Sequence, residues 1–266
     1  MNKNKSIGVI DGGIGGLTTV AEMQKLLPGE DIIFLGDSAN NPFGNRPHEE
    51  IVHLIKVIVR YLEKQNVKAV AIACNTFSVF LDQYAKLFPF PFITVTDPVA
   101  PYVASLGITT VGVIATVATA ESRAHEKLIK AVDPEIDVYA QGSPRLAKLI
   151  DSGEFNLFEI DNEIKINMDE LLSKAEPGAI KHVILGCTHY PIVTDRFEYL
   201  YPGITFINPA YSQAMAVREL LVEHDAFNLQ EKGKVILCTT GDTAVCEKVM
   251  ARLSEQPADE IRHVVL

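Results

Sequence analysis

The strongest constraint on the fold is a rhythm. Short runs rich in Val, Ile and Ala, apolar on both faces, alternate along the chain with longer amphipathic runs. A strand that is apolar on both faces must be covered on both faces, as in a parallel sheet flanked by helices. The pattern predicts strands at 7–10, 31–35, 69–73, 92–95, 110–114, 183–185, 205–207 and 235–239. Helices are predicted at 17–27, stopped by Pro28-Gly29, and at 48–65. In the second, Ile51, Leu54, Ile55, Ile58 and Leu62 form one stripe, and Glu49 and Glu50 occupy the first turn. A βαβα order of this kind calls for an open sheet with helices on both sides.

Composition narrows the function. With 24 basic against 34 acidic residues, the formal net charge is −10. Bulk charge therefore does not favour nucleic acid or an anionic membrane surface as partner. No apolar run approaches the ~18 residues of a membrane span. The opening segment passes directly into a strand with no apolar signal-peptide core, so a cytoplasmic protein is expected. Four cysteines in 266 residues do not make a disulfide framework. Neither a Cys-x-x-Cys pair nor a Cys/His cluster shows ligand spacing, so no metal is expected.

A weak internal repeat adds organisation. Ile7-Gly8-Val9-Ile10-Asp11 is similar to Val111-Gly112-Val113-Ile114-Ala115, and Ala73-Cys74-Asn75-Thr76 to Gly186-Cys187-Thr188-His189, at comparable separations. The expected fold is thus α/β, with two pseudo-symmetric open-sheet domains and the active site in the cleft between them. The first would comprise residues 1–97 plus 210–266, and the second residues 98–209.

Ligands of open α/β sheets bind outside the carboxyl ends of the strands. Five segments place polar residues there: Asp11–Gly16, Gly36-Asp37-Ser38, Cys74-Asn75-Thr76, Thr116–Thr119 and Cys187-Thr188-His189. One thiolate could take a proton from a carbon while the opposite thiol returns one to the other face, inverting that carbon. Asp11 is placed by strand order to assist Cys74, and His189 to assist Cys187. Thr116 and Thr119 are candidate substrate contacts, and Asp37 a supporting residue. A cysteine ending a buried strand is commonly just a small core residue; here the paired polar neighbours favour chemistry. Cys238 and Cys246 lack such neighbours and are read as packing. His48, His53, His125, His182, His224 and His263 are read as solvated or structural.

Three other readings stay open. Asp11–Gly16 opens a helix after a strand, and Asp37 follows about 20 residues on, as in a dinucleotide fold. However, Thr18 stands where the third glycine should be, and Asp11 would repel a pyrophosphate. A thiol hydrolase or lyase using Cys187 with His189 leaves the Cys74 motif unexplained. A protein that binds an amino acid without turning it over is the third.

Asp11-x-Gly13-x-Gly15-Gly16-Leu17-Thr18, Gly36-Asp37, Pro42-Phe43-Gly44, Ala73-Cys74-Asn75-Thr76 and Leu185-Gly186-Cys187-Thr188-His189-Tyr190-Pro191 resemble the motifs of the glutamate racemases, of the cofactor-independent aspartate/glutamate racemase superfamily. The resemblance runs in order from Ile7 to about Leu220. It implies interconversion of L- and D-glutamate for peptidoglycan, without pyridoxal phosphate or metal, by a cytoplasmic homodimer. It also implies that Cys74 and Cys187 are the acid/base pair, with Asp11 and His189 assisting. Substrate contacts would come from Gly12, Phe43, Gly44, Asn75, Thr76, Thr188 and His189. Four features depart from the family pattern. Gly12 replaces a serine, and Asn40-Asn41-Pro42-Phe43-Gly44 replaces Arg-x-Pro-Tyr-Gly. Phe77 replaces an alanine, and Asp151 stands where a glutamate near the site is usual.

Overall fold

A computed structural model describes residues 1–43 and 46–266. Among them the strands are β1 (Ile7–Asp11), β2 (Ile32–Gly36), β3 (Ala69–Ile72), β4 (Phe92–Thr94), β5 (Thr110–Thr116), β6 (Asp137–Ser143), β7 (His182–Gly186), β8 (Thr205–Ile207), β9 (Val235–Thr239) and β10 (Glu260–His263). They form two parallel sheets, in the orders β10-β9-β2-β1-β3-β4 and β6-β5-β7-β8. The chain divides into two compact units. One comprises Met1–Val95 and Gln213–Leu266, the other Thr96–Ser212.

The first unit holds the six-stranded sheet. Its helices α1 (Leu17–Leu26), α2 (His48–Lys64) and α3 (Asn75–Val79) follow β1, β2 and β3. Helix α2 buries Ile51, Val52, Ile55, Ile58, Val59 and Leu62, while Leu54 is only partly covered. Burying these six side chains contributes on the order of 10 kcal/mol before entropy is counted. At the end of β2, Gly36 is required: a Cβ there would lie 2.4 Å from the carbonyl oxygen of Gly13.

The second unit holds the four-stranded sheet, with α4 (Val99–Ser105), α5 (Val117–Ser122), α6 (Ala124–Val132), α7 (Leu146–Asp151), α8 (Leu157–Ser173) and α9 (Thr194–Leu200) around it. Helix α10 (Pro209–Glu223) then carries the chain back to the first unit, which ends with β9, α11 (Thr243–Leu253) and β10.

The two sheets share a plan. In β2-β1-β3-β4 and in β6-β5-β7-β8 the first strand of each set lies between the second and the third. Strand order therefore reverses at β1/β3 and at β5/β7, the position where open sheets bind ligands. Cys74 follows β3 and Cys187 follows β7.

Eight strands lie where the apolar runs place them, two with the expected bounds and the others with ends shifted by one or two residues. Strand β1 extends to Asp11, paired with Gly36, and β5 extends to Thr116, paired with Ser143. The pattern misses β6 and β10. Each is an edge strand with a single neighbour and carries too few apolar residues to stand out.

Candidate active site

In the first unit the site is built around the turn after β3. Cys74 keeps partial exposure at the start of α3, where its side chain accepts no capping hydrogen bond, and the backbone N–H groups of Phe77, Gly12 and Thr76 lie near its sulfur. Asp11, at the end of the neighbouring strand, is 2 % exposed. Its Oδ2 accepts the amides of Gly16 at 2.9 Å and Gly13 at 3.3 Å, which holds the carboxylate in place. Burial of the sulfur raises the Cys74 pKa first, the Asp11 charge raises it further, and the three amides oppose both. The balance keeps the thiol protonated, a poise suited to a general acid. Asn75 Oδ1 is buried with no hydrogen-bond partner among the described residues, an acceptor suited to an ammonium group.

The strand end is fixed by bonds from distant parts of the chain. Gln213 Nε2 donates to the carbonyls of Ile72 and Ile93, both at 2.9 Å, and its Oε1 accepts from Thr19. Asp37 is fully buried and accepts from Asn40 Nδ2 and, at 2.8 Å, from Thr240 Oγ1. It joins the end of β2 to the end of β9. Tyr84, 1 % exposed, donates to the carbonyl of Phe77 at 3.1 Å beneath the cysteine turn. Phe43 is 3 % exposed and meets Phe77 edge-to-face at 4.8 Å between ring centroids. Gly44 lies outside the described residues.

In the second unit Cys187 Sγ lies 3.7 Å from His189 Nδ1, and His189 Nε2 lies 2.8 Å from Asp151 Oδ1. The result is a thiol–imidazole–carboxylate relay in which Asp151, at the end of α7, orients the ring. Burial opposes a charge on His189, yet its bonds to Asp151 and Cys187 outweigh that effect and hold its pKa well above the ordinary imidazole value. A protonated His189 thus places a positive charge beside the Cys187 sulfur. Tyr190 is fully buried and donates to Ala115 O at 3.0 Å, tying the turn after Cys187 to β5. Pro191 lies at the start of the 3₁₀ turn Tyr190–Val193. Thr116 caps α5, and its Oγ1 lies 3.0 Å from that of Thr119. Thr188, beside the relay, is half-buried.

The sequence-derived residues therefore fall into two local groups. Asp11, Gly12, Phe43, Cys74, Asn75 and Thr76 belong to the first unit, with Asp37 behind them. Thr116, Thr119, Asp151, Cys187, Thr188 and His189 belong to the second. Gln213 and Tyr84 escape sequence reasoning because neither sits in a motif; their roles come from hydrogen bonds to backbone carbonyls that only the fold brings near. Cys238 and Cys246 are fully buried, as packing residues are. The nucleotide reading fails on the loop after β1. Amides that a pyrophosphate would need, those of Gly13 and Gly16, are engaged by Asp11. Among the described residues there is no group of three or more His, Cys, Asp or Glu side chains placed to hold a metal. None of the described helices is long and apolar enough to cross a membrane.

Comparison with known proteins agrees with this architecture. Residues 18–217 match the family model described as Asp/Glu/Hydantoin racemase. The chain is 35 % identical to glutamate racemase 1 of Caldanaerobacter subterraneus subsp. tengcongensis, over 98 % of this chain and 97 % of that protein. Among solved structures, glutamate racemase isoform RacE1 from Bacillus anthracis superposes with a TM-score of 0.88 at 29 % identity, covering 100 % of this chain and 99 % of the other. The Francisella tularensis glutamate racemase, crystallised with D-glutamate, gives 0.83 at 30 % identity over 99 % and 98 % of the two chains. A family match over most of the chain, near-complete alignment with glutamate racemases and two cysteine turns at equivalent strand ends place this chain in the Asp/Glu/hydantoin racemase family, on its glutamate racemase branch.

Proposed function

We propose that the protein interconverts L- and D-glutamate by proton transfer between two cysteines, Cys74 and Cys187, without a cofactor. The observation that carries this reading is that each thiol has its own, different assistants at topologically equivalent strand ends. A core cysteine needs neither a buried carboxylate at the neighbouring strand end nor a His–Asp relay.

In one direction the Cys187 sulfur, as thiolate, takes the α-proton, and the Cys74 thiol gives its proton to the opposite face of the carbanion. The products are a Cys187 thiol, a Cys74 thiolate and the other enantiomer; the reverse direction exchanges the roles. This chemistry requires the two sulfurs to address opposite faces of the α-carbon. The buried Asn75 Oδ1 suits the substrate ammonium, and Thr76, Thr116, Thr119 and Thr188 supply hydroxyls for its carboxylates. The Asp11 charge helps keep the Cys74 sulfur ready to donate, and His189 stands beside the Cys187 sulfur to assist it. The reading extends to a cytoplasmic homodimer that supplies D-glutamate for peptidoglycan.

The test is to incubate the protein with L- or D-glutamate in D₂O with no cofactor added. Optical rotation and the α-proton signal are followed together. Cys74→Ala and Cys187→Ala should each slow racemisation by roughly 10³-fold or more. Each should retain solvent exchange with one enantiomer only, because one base remains. Near-normal racemisation by Cys74→Ala would exclude the mechanism.

The Cys187–His189–Asp151 geometry also favours a second reading, a thiol hydrolase. Its signature is a covalent adduct on Cys187 formed equally well by Cys74→Ala.

A further inference from the structure

The two sheets share a four-strand plan, but the first carries two further strands, β9 and β10, beyond β2. In the second sheet the counterpart of β2 is β6, an edge strand. Strand β9 and the turn after it lie outside residues 18–217, the stretch matched by the family model. They nevertheless reach the carboxyl end of the sheet, where the loop after β2 begins. Gly36 pairs with Thr239, and the Thr240 amide donates to Gly36 O at 3.1 Å.

One hydroxyl joins this turn to the loop. Thr240 Oγ1 donates to Asp37 Oδ1 at 2.8 Å and accepts the Ala39 amide at 2.9 Å. A threonine hydroxyl has a single proton, so giving it to the carboxylate leaves its lone pairs for the amide. The backbone beside it approaches as closely: a Cβ on Gly241 would lie 2.7 Å from Ser38 Cβ. The turn is itself braced, since Thr239 Oγ1 accepts the Gly241 amide at 3.0 Å and Asp242 caps α11. From this anchor the loop runs to the site. The Asp37 amide donates to Asp11 O at 3.1 Å, Arg46 Nε returns to Asn40 O at 2.9 Å, and the Phe43 ring rests against Gly12.

We infer that Thr240 is a positioning residue for the loop after β2: its hydroxyl holds Asp37 and Ala39 so that the segment leading to Phe43 stays against the Asp11–Gly16 turn. The C-terminal strands thus serve the site as well as the sheet. Thr240 acts on substrate binding through the loop rather than by contact. The inference rests on the reading of Asp11, Gly12 and Phe43 as part of a glutamate site, whereas the anchorage itself is measured without turnover.

The experiment compares Thr240→Val, which keeps the shape and removes the hydroxyl, with Thr240→Ser, which keeps the hydroxyl. Amide hydrogen exchange reads the anchorage, and steady-state racemisation of glutamate reads its effect on the site. In Thr240→Val, exchange at Ala39 should accelerate about tenfold, the scale of one net hydrogen bond, and KM should rise about tenfold with kcat within about threefold. Thr240→Ser should stay within about twofold of the parent in both measurements. Val235→Ala trims the buried amino end of β9, opposite Ile32 and away from the loop, and should leave KM in place. Should Thr240→Val not fold, Thr240→Ala removes the same hydroxyl without pressing a methyl on the Asp37 carboxylate and carries the same comparison. Unchanged Ala39 exchange or unchanged KM in the folded variant would overturn the inference. So would an equal rise in KM from Val235→Ala, or a Thr240→Ser variant as impaired as Thr240→Val. A parent protein that racemises no glutamate removes the proposed function instead, and the Ala39 exchange then decides whether the hydroxyl holds the loop.

Discussion

Replacing Lys68 by Met should be among the most destabilising single substitutions in the first unit, although the residue lies at the amino end of β3, away from Cys74. Lys68 and Glu30 form an ion pair at 2.5 Å with both side chains fully buried. Nζ also donates to Lys3 O at 3.0 Å and Ala226 O at 2.9 Å, while Glu30 Oε1 accepts the amide of Asn228 at 2.7 Å. One ammonium group thus joins the N-terminal segment, the turn before β2 and the returning segment after α10. Removing one partner of a buried pair costs about 3–5 kcal/mol. The orphaned carbonyl of Ala226, itself fully buried, accounts for about 1–3 kcal/mol of such a loss. A total of ~4 kcal/mol corresponds to a fall in Tm of roughly 10 °C for a chain of this size. Burial already raises the Glu30 pKa, against the opposing effect of Lys68. Without Lys68 it rises further, so the variant binds an extra proton when folded. Its deficit is therefore small near the unfolded carboxyl pKa and grows as pH rises above it. Glu30→Gln added to Lys68→Met keeps the acceptor for Asn228, removes the buried charge and should recover about 2 kcal/mol near neutral pH. Urea unfolding supplies the free energies, and hydrogen exchange at β1 and β3 localises the loss. A cost below about 1 kcal/mol, or no recovery in the double variant, would refute the claim that this pair locks the three segments.

Asp151→Asn removes the carboxylate that holds the His189 ring. The His189 pKa should fall, as followed by NMR of the imidazole, and kcat should drop by about 10²-fold with a smaller change in KM. Asp151→Glu should restore much of both. His125 is 3 % exposed, has no hydrogen-bond partner for either ring nitrogen among the described residues, and has its pKa lowered by burial to about 4. Because the folded state prefers the neutral ring, stability is complete above the unfolded pKa near 6.5 and is lost as pH falls through it. About 3 kcal/mol should be gone by pH ~4. His125→Phe should flatten that part of the stability–pH curve in urea titrations and cost nothing at neutral pH; an unchanged slope would clear His125 of the effect.

What was legible in the chain follows from what each residue has to satisfy locally. Strands β1, β3, β5 and β7 are covered on both faces, so their apolar character shows without knowledge of their neighbours. The cysteine turns show because Asn75, Thr76, Thr188 and His189 are polar where packing alone would place apolar groups. Strands β6 and β10 do not show. An edge strand shares its burden with solvent, and in β6 even the buried positions Gln141 and Ser143 are polar, bonded to Lys174 and Glu163. Gln213 is equally hidden. Nothing around it in sequence signals that it caps the carbonyls of Ile72 and Ile93, residues more than a hundred positions away.

The departures from the family motifs make the same point at the site itself. Read along the chain, Gly12, Phe43 and Phe77 are three separate losses against the motifs the chain resembles: a hydroxyl gone, a phenol gone, and an alanine enlarged beside the Cys74 thiol. In space they are one contact, and their costs are not independent. With Phe77 filling the space on its other side, the ring of Phe43 rests against Gly12 where a Cβ would lie. Gly12→Ser alone would therefore push a Cβ into Phe43 rather than return a useful hydroxyl. Pairwise compensation of this kind is invisible to any reading that scores positions one at a time, since neighbours in contact are where additivity fails.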